Sequence, residues 1–484
     1  MWKIGLRNFA RALPKRPKFH TAKETLEETK RVQPLPPPSK SLIKSEVTDE
    51  WMAKRHIGIV HMPEDLQRGV QSVFSAYTSK EIREMGYNVA QKLTEIHGVE
   101  KPRDISTAQP FATSEQMLEK DVTSTYRRGF YVPKMREIAK LTSDSFTGKF
   151  EIPQPEKITE EFEYRDSHAI GYAYKRMPST YAAIFRCLSE VKFRIPGLKV
   201  ERVLDYGAGT GSGAWAAMSL YPNFKEVYAV EPNKHMRTVG KKITKNISKV
   251  AWVESLANLP SVSTENGLFD IVICGYVLGE VEDPATRALI VEAMFQRTKG
   301  VVLFIEPGTP KGFRQIHSTR EWILSHLSRE QASIVAPCPH EGNCPLAKSE
   351  NSWCHFSQFA ARFPKSIVGT VQGAKQEDNE KFSYILVKRG PGPRQIKTEE
   401  KARNPAERSY FWDRAVRPRI ARKNHVLLDF CSHSLGALGR GTYGKLRRFN
   451  VTKKHGRDAY RFGRKLGWGD LWPNSYGRGS YFIK

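Results

Sequence analysis

Residues 202–213 read Arg-Val-Leu-Asp-Tyr-Gly-Ala-Gly-Thr-Gly-Ser-Gly. An apolar run, Val203–Leu204, ends at Asp205, after which Gly207, Gly209, Gly211 and Gly213 alternate. Alternating glycines let a backbone turn sharply off a strand and approach a ligand closely, because no Cβ intervenes. Glu231 closes the next strand-like run, Val227–Val230, 24 positions after Gly207. A carboxylate there can accept hydrogen bonds from ribose hydroxyls. The spacing predicts a nucleoside-bearing cofactor held by Asp205, Gly207, Gly209, Gly211 and Glu231. Gly207-x-Gly209-x-Gly211 lacks the G-x-G-x-x-G spacing of dinucleotide binders, and the chain has no G-x-x-x-x-G-K-[ST] of a phosphate-binding loop.

A second constellation spans residues 337–358. Cys338, Cys344 and Cys354 stand at C-x5-C-x9-C, three thiols within 17 residues of a chain that has six cysteines. Core cysteines are usually isolated on apolar faces, so this density points to zinc or an iron–sulfur cluster. Either needs a fourth ligand, and His340, His355 or a distant cysteine can supply it. Cys187 falls on a predicted helix and Cys274 on a predicted strand. Cys431 lies outside the α/β unit and is free to reach the insertion.

Asp205-x-Gly207-x-Gly209-x-Gly211 resembles motif I of S-adenosylmethionine-dependent methyltransferases. Methyl transfer needs donor and nucleophile aligned in a dry pocket. For base nitrogens an Asn/Asp-Pro-Pro-Tyr/Phe loop often follows the fourth strand. Here that strand and its continuation read Phe269-Asp-Ile-Val-Ile-Cys-Gly-Tyr-Val-Leu-Gly-Glu280, with no Pro-Pro. Transfer to a pyrimidine carbon needs a cysteine nucleophile. Cys274 lacks a preceding proline and reads as a packed strand residue. No catalytic group is identifiable.

The elements that must position these groups recur regularly. Strands are predicted at Arg202–Asp205, Glu226–Val230, Val250–Glu254, Phe269–Gly275 and Gly300–Glu306, separated by helix-length segments, which argues for a parallel sheet. One helix is expected after Pro178 through about Val191, and another over Ser318–Arg329. Strands Ala332–Ala336 and Phe382–Lys388 complete an α/β, seven-strand Rossmann-like methyltransferase sheet with an antiparallel last strand. The unit covers residues 160–390 and carries the cysteine insertion, residues 337–380, as a long loop. Before it, residues 49–159 form an N-terminal helical region. Leu66, Val70, Val73, Phe74 and Tyr77 share one helical face. Thr78 and Glu81 can form a capping box for a helix with Ile82, Met85, Val89, Leu93 and Ile96 inward, ended by Gly98. Residues 28–48 are a Pro-rich linker. Residues 120–140 mix basic and aromatic side chains, a composition shared by RNA contacts and solvated helices.

The chain has 484 residues and a formal net charge of +27. That balance favours a polyanion as partner, and no run of 18 apolar residues is present to insert into a membrane. Residues 391–484, a basic extension, hold 22 lysines and arginines against seven acidic residues. Tyr443, Tyr460, Trp468 and Trp472 are interleaved, so phosphate contacts and base stacking are both available. Phe449, Tyr460, Phe462 and Leu466 can pack, whereas the stretch past about 474 reads as a solvated tail. At the other end, the first 23 residues carry seven basic residues and no acid. Trp2, Leu6, Phe9 and Leu13 share a helical face opposite Lys3, Arg7 and Arg11, the pattern of a mitochondrial targeting peptide over residues 1–27. A basic nucleic-acid-binding arm would share the charge.

From about Tyr172 to Pro473 the chain resembles the mitochondrial small-ribosomal-subunit methyltransferase-like family, related to bacterial proteins described as ribosomal small-subunit methyltransferases. The segments that carry the likeness are Arg176-Met-Pro-Ser-Thr-Tyr181, Leu204–Gly211, Phe304-Ile-Glu-Pro-Gly-Thr-Pro-Lys-Gly312, Ala336–Pro345, Trp353–Ser357, Lys381–Tyr384 and Tyr460–Asp470. The cysteine segment is the most specific. The resemblance implies a [4Fe–4S] cluster on Cys338, Cys344, Cys354 and Cys431, a mitochondrial matrix location, and a role in maturing the small mitochondrial subunit by binding its rRNA and precursor particle, with no DNA partner. Three functions compete: an rRNA-binding assembly factor that binds S-adenosylmethionine, an active rRNA methyltransferase, and a permanent ribosomal protein. The missing catalytic loop disfavours the second, and the intact glycine loop disfavours the third.

Overall fold

The computed structural model describes residues 48–97, 165–349, 351–369, 376–396, 401–435 and 442–477. The expected targeting peptide, most of the Pro-rich linker, Gly98, the basic-aromatic segment 120–140 and the end of the tail lie outside the described residues.

Five strands form a parallel core: β1 (Arg202–Tyr206), β2 (Glu226–Val230), β3 (Val250–Val253), β4 (Phe269–Gly275) and β5 (Thr298–Pro307). β8 (Glu377–Arg389) runs antiparallel between β5 and β6 (Ala332–Ala336), giving the order β3-β2-β1-β4-β5-β8-β6. The seven strands expected from the sequence are present, and the insertion adds an eighth. β7 (Phe356–Ala361) pairs antiparallel with β8, so residues 337–380 are only partly loop. Gln358 faces inward in β7, where its Nε2 donates to the Gly58 carbonyl at 2.7 Å. A polar inward residue breaks the apolar alternation that would have announced the strand.

Helices cover both faces, so central strands alternate between two cores rather than between core and solvent. Val203, Ile271, Ile273 and Leu303 face one core; Leu204, Val272, Cys274 and Phe304 face the other. The chain enters through α4 (Asp166–Lys175) and α5 (Met177–Arg194). One helix was expected here; there are two, because Pro178 suits a first helical turn and Arg176 forms the corner before it. The helix expected from Ser318 begins earlier, as α9 (Pro310–His326), where Thr309 Oγ1 accepts the Gly312 N–H at 3.1 Å.

The N-terminal helices pack on this unit. In α2 (Glu64–Phe74), Leu66, Val70, Val73 and Phe74 are buried, while Tyr77 lies past the helix end and is 36% exposed. The capping box of α3 (Ser79–His97) is formed: Thr78 N–H donates to Glu81 at 2.7 Å, and Glu81 N–H to Thr78 Oγ1 at 3.3 Å. Ile82, Val89 and Leu93 are buried beneath it. Val60 bridges to Ala360, tying this region to β7.

The basic extension is largely a second folded unit. β9 (Asp413–Ala415), β10 (Ile420–Ala421), β11 (His425–Leu435), β12 (Thr442–Thr452) and β13 (Leu471–Trp472) form an antiparallel sheet. Its own core contains Trp412, Phe430, Phe449, Tyr460, Phe462, Leu466 and Trp472, and Met52 and Ala53 from α1 (Asp49–Ala53) join it. Asp470 completes the junction by accepting the N–H groups of Arg55 and His56 at 2.6 and 2.7 Å.

Candidate functional site

The glycine loop leaves β1 and enters α6 (Ser212–Leu220). Gly207, Gly209 and Gly211 have φ of +69°, +55° and +97°, conformations that side chains oppose. Asp205 lies beneath the loop: its carboxylate accepts the Ala214 N–H at 2.7 Å and occupies the space a Cβ on Gly213 would need, 2.5 Å away. Its role is to seat the loop and the start of α6. Burial pushes its pKa up to about 7, against the Ala214 N–H and with help from Glu231. Glu231, at the end of β2, accepts Gly209 N–H and Asn233 N–H, both at 2.8 Å. Each carboxylate oxygen keeps a second acceptor position. Tyr172 and Met236 are the nearest side chains over the loop, 3.7 and 3.5 Å from where a Cβ on Gly209 would sit. Four of the five cofactor residues read from sequence therefore line one loop, with Asp205 as its support.

Sequence reasoning missed a network at the end of β4. Tyr276 is the one non-glycine residue with positive φ (61°) among the described residues. Its hydroxyl donates to Glu380 Oε1 at 3.1 Å, and Glu380 takes a bidentate pair from Arg176 at 2.9 and 2.8 Å. Glu306, at the end of β5, accepts the Leu278 N–H at 2.8 Å, and burial raises its pKa to about 8. These groups fix the loop after β4. The positive φ carried no sequence signal, because tyrosine there is unusual. Cys274 is fully buried and its thiol is pushed well up by burial.

The cysteines converge from both sheets. Cys338 and Cys344 follow β6, Cys354 precedes β7, and Cys431 stands on β11, opposite Leu446. All four line one cavity of about 40 Å³. One water needs roughly 10–15 Å³ of such space, so this is more than a single-water void. Burial raises the thiols of Cys354 and Cys431, and the other cysteines of the set raise them further. Crowded thiols of this kind stay neutral until a cation stabilises the thiolates. Among the described residues no group of three or more His, Cys, Asp or Glu side chains is placed to hold a metal ion.

His340 lies against the same cavity. Its Nδ1 bonds the Gly342 carbonyl at 3.1 Å and its Nε2 lies 3.3 Å from Cys431 Sγ. Burial, with Arg320 and Arg394 nearby, lowers its pKa to about 3. His355 stacks on Trp353 instead, at 5.3 Å between ring centroids. Two arginines complete the lining. Arg414 is buried against Glu190, and its Nε donates to the Pro337 carbonyl at 3.0 Å. Arg320 is equally buried, and its Nη2 donates to the Gly342 carbonyl at 2.6 Å. Across the second sheet, Lys453, Lys454, Arg457, Arg461, Arg464 and Lys465 are exposed around α10 (Arg457–Lys465). Arg448 is bound bidentately to Asp429 at 2.7 and 2.8 Å. No helix of the described residues is long and apolar enough to cross a membrane.

Residues 166–473 match the family described as mitochondrial small ribosomal subunit Rsm22. The human ribosome assembly protein METTL17, mitochondrial, is 28% identical over 329 residues, covering 65% of this chain and 64% of that protein. The Rsm22-cox11 tandem protein 2 of Schizosaccharomyces pombe is 28% identical over 340 residues, covering 64% and 43%. The ribosome assembly protein RSM22 of Saccharomyces cerevisiae is 20% identical over 421 residues, covering 61% and 65%. The matches thus span less than two thirds of these relatives' lengths. Among solved structures, a precorrin-6y C5,15-methyltransferase from Geobacter metallireducens is 16% identical over 43% of this chain and 87% of its own, with a TM-score of 0.28. A magnesium protoporphyrin IX methyltransferase from Synechocystis is 12% identical over 49% and 91%, also with a TM-score of 0.28.

Proposed function

The chain belongs to the mitochondrial small ribosomal subunit Rsm22 family, and from that premise we propose that it is an assembly factor of the small mitoribosomal subunit. It is a mitochondrial protein, and in this reading it acts in the matrix. It binds small-subunit rRNA on the precursor particle and carries S-adenosylmethionine on its glycine loop. Cys338, Cys344, Cys354 and Cys431 hold a [4Fe–4S] cluster.

The observation that carries this reading is the meeting of four cysteines from two sheets around one cavity. A bound cluster would supply Fe–S bonds that cross-link the methyltransferase-like sheet to the second sheet. The remaining work falls to the protein's own side chains. Lys453, Lys454, Arg457 and Arg461 offer a sequence-independent phosphate contact. Gly207, Gly209 and Gly211 bare their backbone to a ligand, and Glu231 has acceptor positions left for ribose hydroxyls. For the active-methyltransferase alternative, two side chains at the end of β4 are unavailable as proton acceptors. Tyr276 is bound to Glu380, and Cys274 is sealed in β4.

Crosslinking in intact mitochondria tests the function. Small-subunit rRNA within precursor particles should be recovered. Crosslinks confined to mature ribosomes would favour a permanent ribosomal protein, and crosslinks to tRNA, DNA or lipid would contradict the reading.

A further inference from the structure

No carboxylate lines the cysteine cavity, and its two charged side chains are Arg320 and Arg414. They come from different elements, α9 and β9. Both are almost wholly buried, 3% and 1% exposed. Both donate to carbonyls of the cysteine loop: Arg414 to Pro337 at 3.0 Å, and Arg320 to His340 at 3.3 Å and to Gly342 at 2.6 Å. Arg394 adds a bond to the Cys338 carbonyl at 3.3 Å. The loop is therefore held by guanidinium groups.

Burying a cation is costly unless something answers its charge. Arg414 is answered by Glu190, which is itself fully buried. Among the described residues Arg320 is paired only with Glu321, whose side chain is 48% exposed, and Arg320 Nε has no hydrogen-bond acceptor there. That donor belongs to a side chain lining the same cavity as the four cysteines, and a buried N–H without an acceptor calls for one. A [4Fe–4S] core in its more oxidised common state, ligated by four thiolates, carries a net negative charge and offers sulfur acceptors.

We propose that Arg320 is the counter-charge and N–H···S donor of the cluster, a positioning residue that fixes its potential and its retention. The proposal rests on the cluster reading above. Charge and hydrogen bonds at the sulfurs are among the main determinants of a cluster's potential. Reduction adds one electron to the cluster, supplied by dithionite, and the proximity of a cation favours it. Removing that cation should shift the midpoint downward.

The test uses the full chain, purified anaerobically, as wild type, Arg320→Lys and Arg320→Gln. Iron and acid-labile sulfide are measured first, then the midpoint potential by dithionite titration followed by electron paramagnetic resonance, and the rate of iron loss to a chelator. Arg320→Gln should shift the midpoint downward and lose iron several-fold faster. Arg320→Lys, which keeps the charge, should lie between it and wild type. An Arg320→Gln protein that loses the cluster during purification while Arg320→Lys keeps it also supports the proposal. A wild-type midpoint in Arg320→Gln overturns it. Equal loss of iron from both variants overturns it too, because holding loop carbonyls would then be the whole role. Wild-type protein with zinc and no sulfide would overturn the cluster reading itself, and this proposal with it.

Discussion

Arg414 on the second sheet and Glu190 on α5 form a fully buried ion pair, with Nη1 and Oε2 3.2 Å apart. Arg186 and Arg194 also approach the same carboxylate, and Tyr384 donates to it at 2.8 Å. The two sheets are thus joined by one carboxylate among three cations, beside the cysteine cavity. Breaking a buried pair leaves uncompensated charge, which typically costs about 3–5 kcal/mol. Glu190→Gln should destabilise the fold by about that amount in denaturant titration. Loss of the exposed Arg68–Asp65 pair should change stability by less than about 1 kcal/mol. The arginines hold Glu190 well below the usual carboxylate range although burial opposes them. Its contribution is therefore present at neutral pH and is lost as pH falls below the ordinary range of a glutamate.

Asp205 has the opposite sign. Its folded pKa, about 7, lies above the 3.8 of an unperturbed aspartate. Between those values the unfolded chain releases a proton that the folded chain retains. Stability should fall as pH rises across that window and level off above it. Asp205→Asn, which keeps an acceptor for Ala214 N–H, should flatten that slope. Melting temperatures from pH 5 to 8 check this, and an unchanged slope would show that Asp205 does not titrate there.

Two glycines of one loop should respond differently. A Cβ at Gly207 would lie 2.2 Å from Val277 Cγ2, at a φ of +69°. Gly207→Ala should therefore cost about 1–3 kcal/mol of stability. At Gly209 φ is also positive, +55°, but the nearest atoms are 3.5 Å or more away, so a side chain meets backbone strain without a clash. Gly209→Arg should leave the protein folded yet abolish S-adenosylmethionine binding in calorimetry. Undiminished binding would remove the loop from the cofactor site.

Neutralising Lys453, Lys454, Arg457 and Arg461 should weaken rRNA binding and lower the slope of log affinity against log salt by roughly 3, since each phosphate contact contributes about 0.7–0.9. Arg448→Gln is a poorer probe, because Arg448 is committed to Asp429. An unchanged slope in the fourfold variant would place the RNA surface elsewhere.

Much of the α/β unit was legible in the sequence because it is built from buried parallel strands. Runs such as Phe269–Cys274, buried throughout, announce themselves, and the Thr78–Glu81 box marks a helix start. β7 was not legible, because Gln358 faces inward and the residues that extend β8, Glu377–Glu380, are mostly polar. The second sheet was hidden by its charge: alternation in β12 sets Phe449 and Val451 inward among basic neighbours. The cysteines were legible as a set, but Arg320, Arg414 and Glu190 were not. Buried arginines have no local pattern, since their partners lie as far as 224 positions away.

The central claim is that Cys431 closes a cluster site begun by Cys338, Cys344 and Cys354. Iron, sulfide and zinc analysis of anaerobically purified wild-type and Cys431→Ser protein tests it most directly. Wild type should hold iron and sulfide in near-equal amounts with broad visible absorption, and Cys431→Ser should lose most of both, because one iron is left open to solvent. Stoichiometric zinc in the wild type, or a full cluster in Cys431→Ser, would contradict the account. In the latter case the fourth ligand would pass to His340, whose Nε2 already lies 3.3 Å from that sulfur.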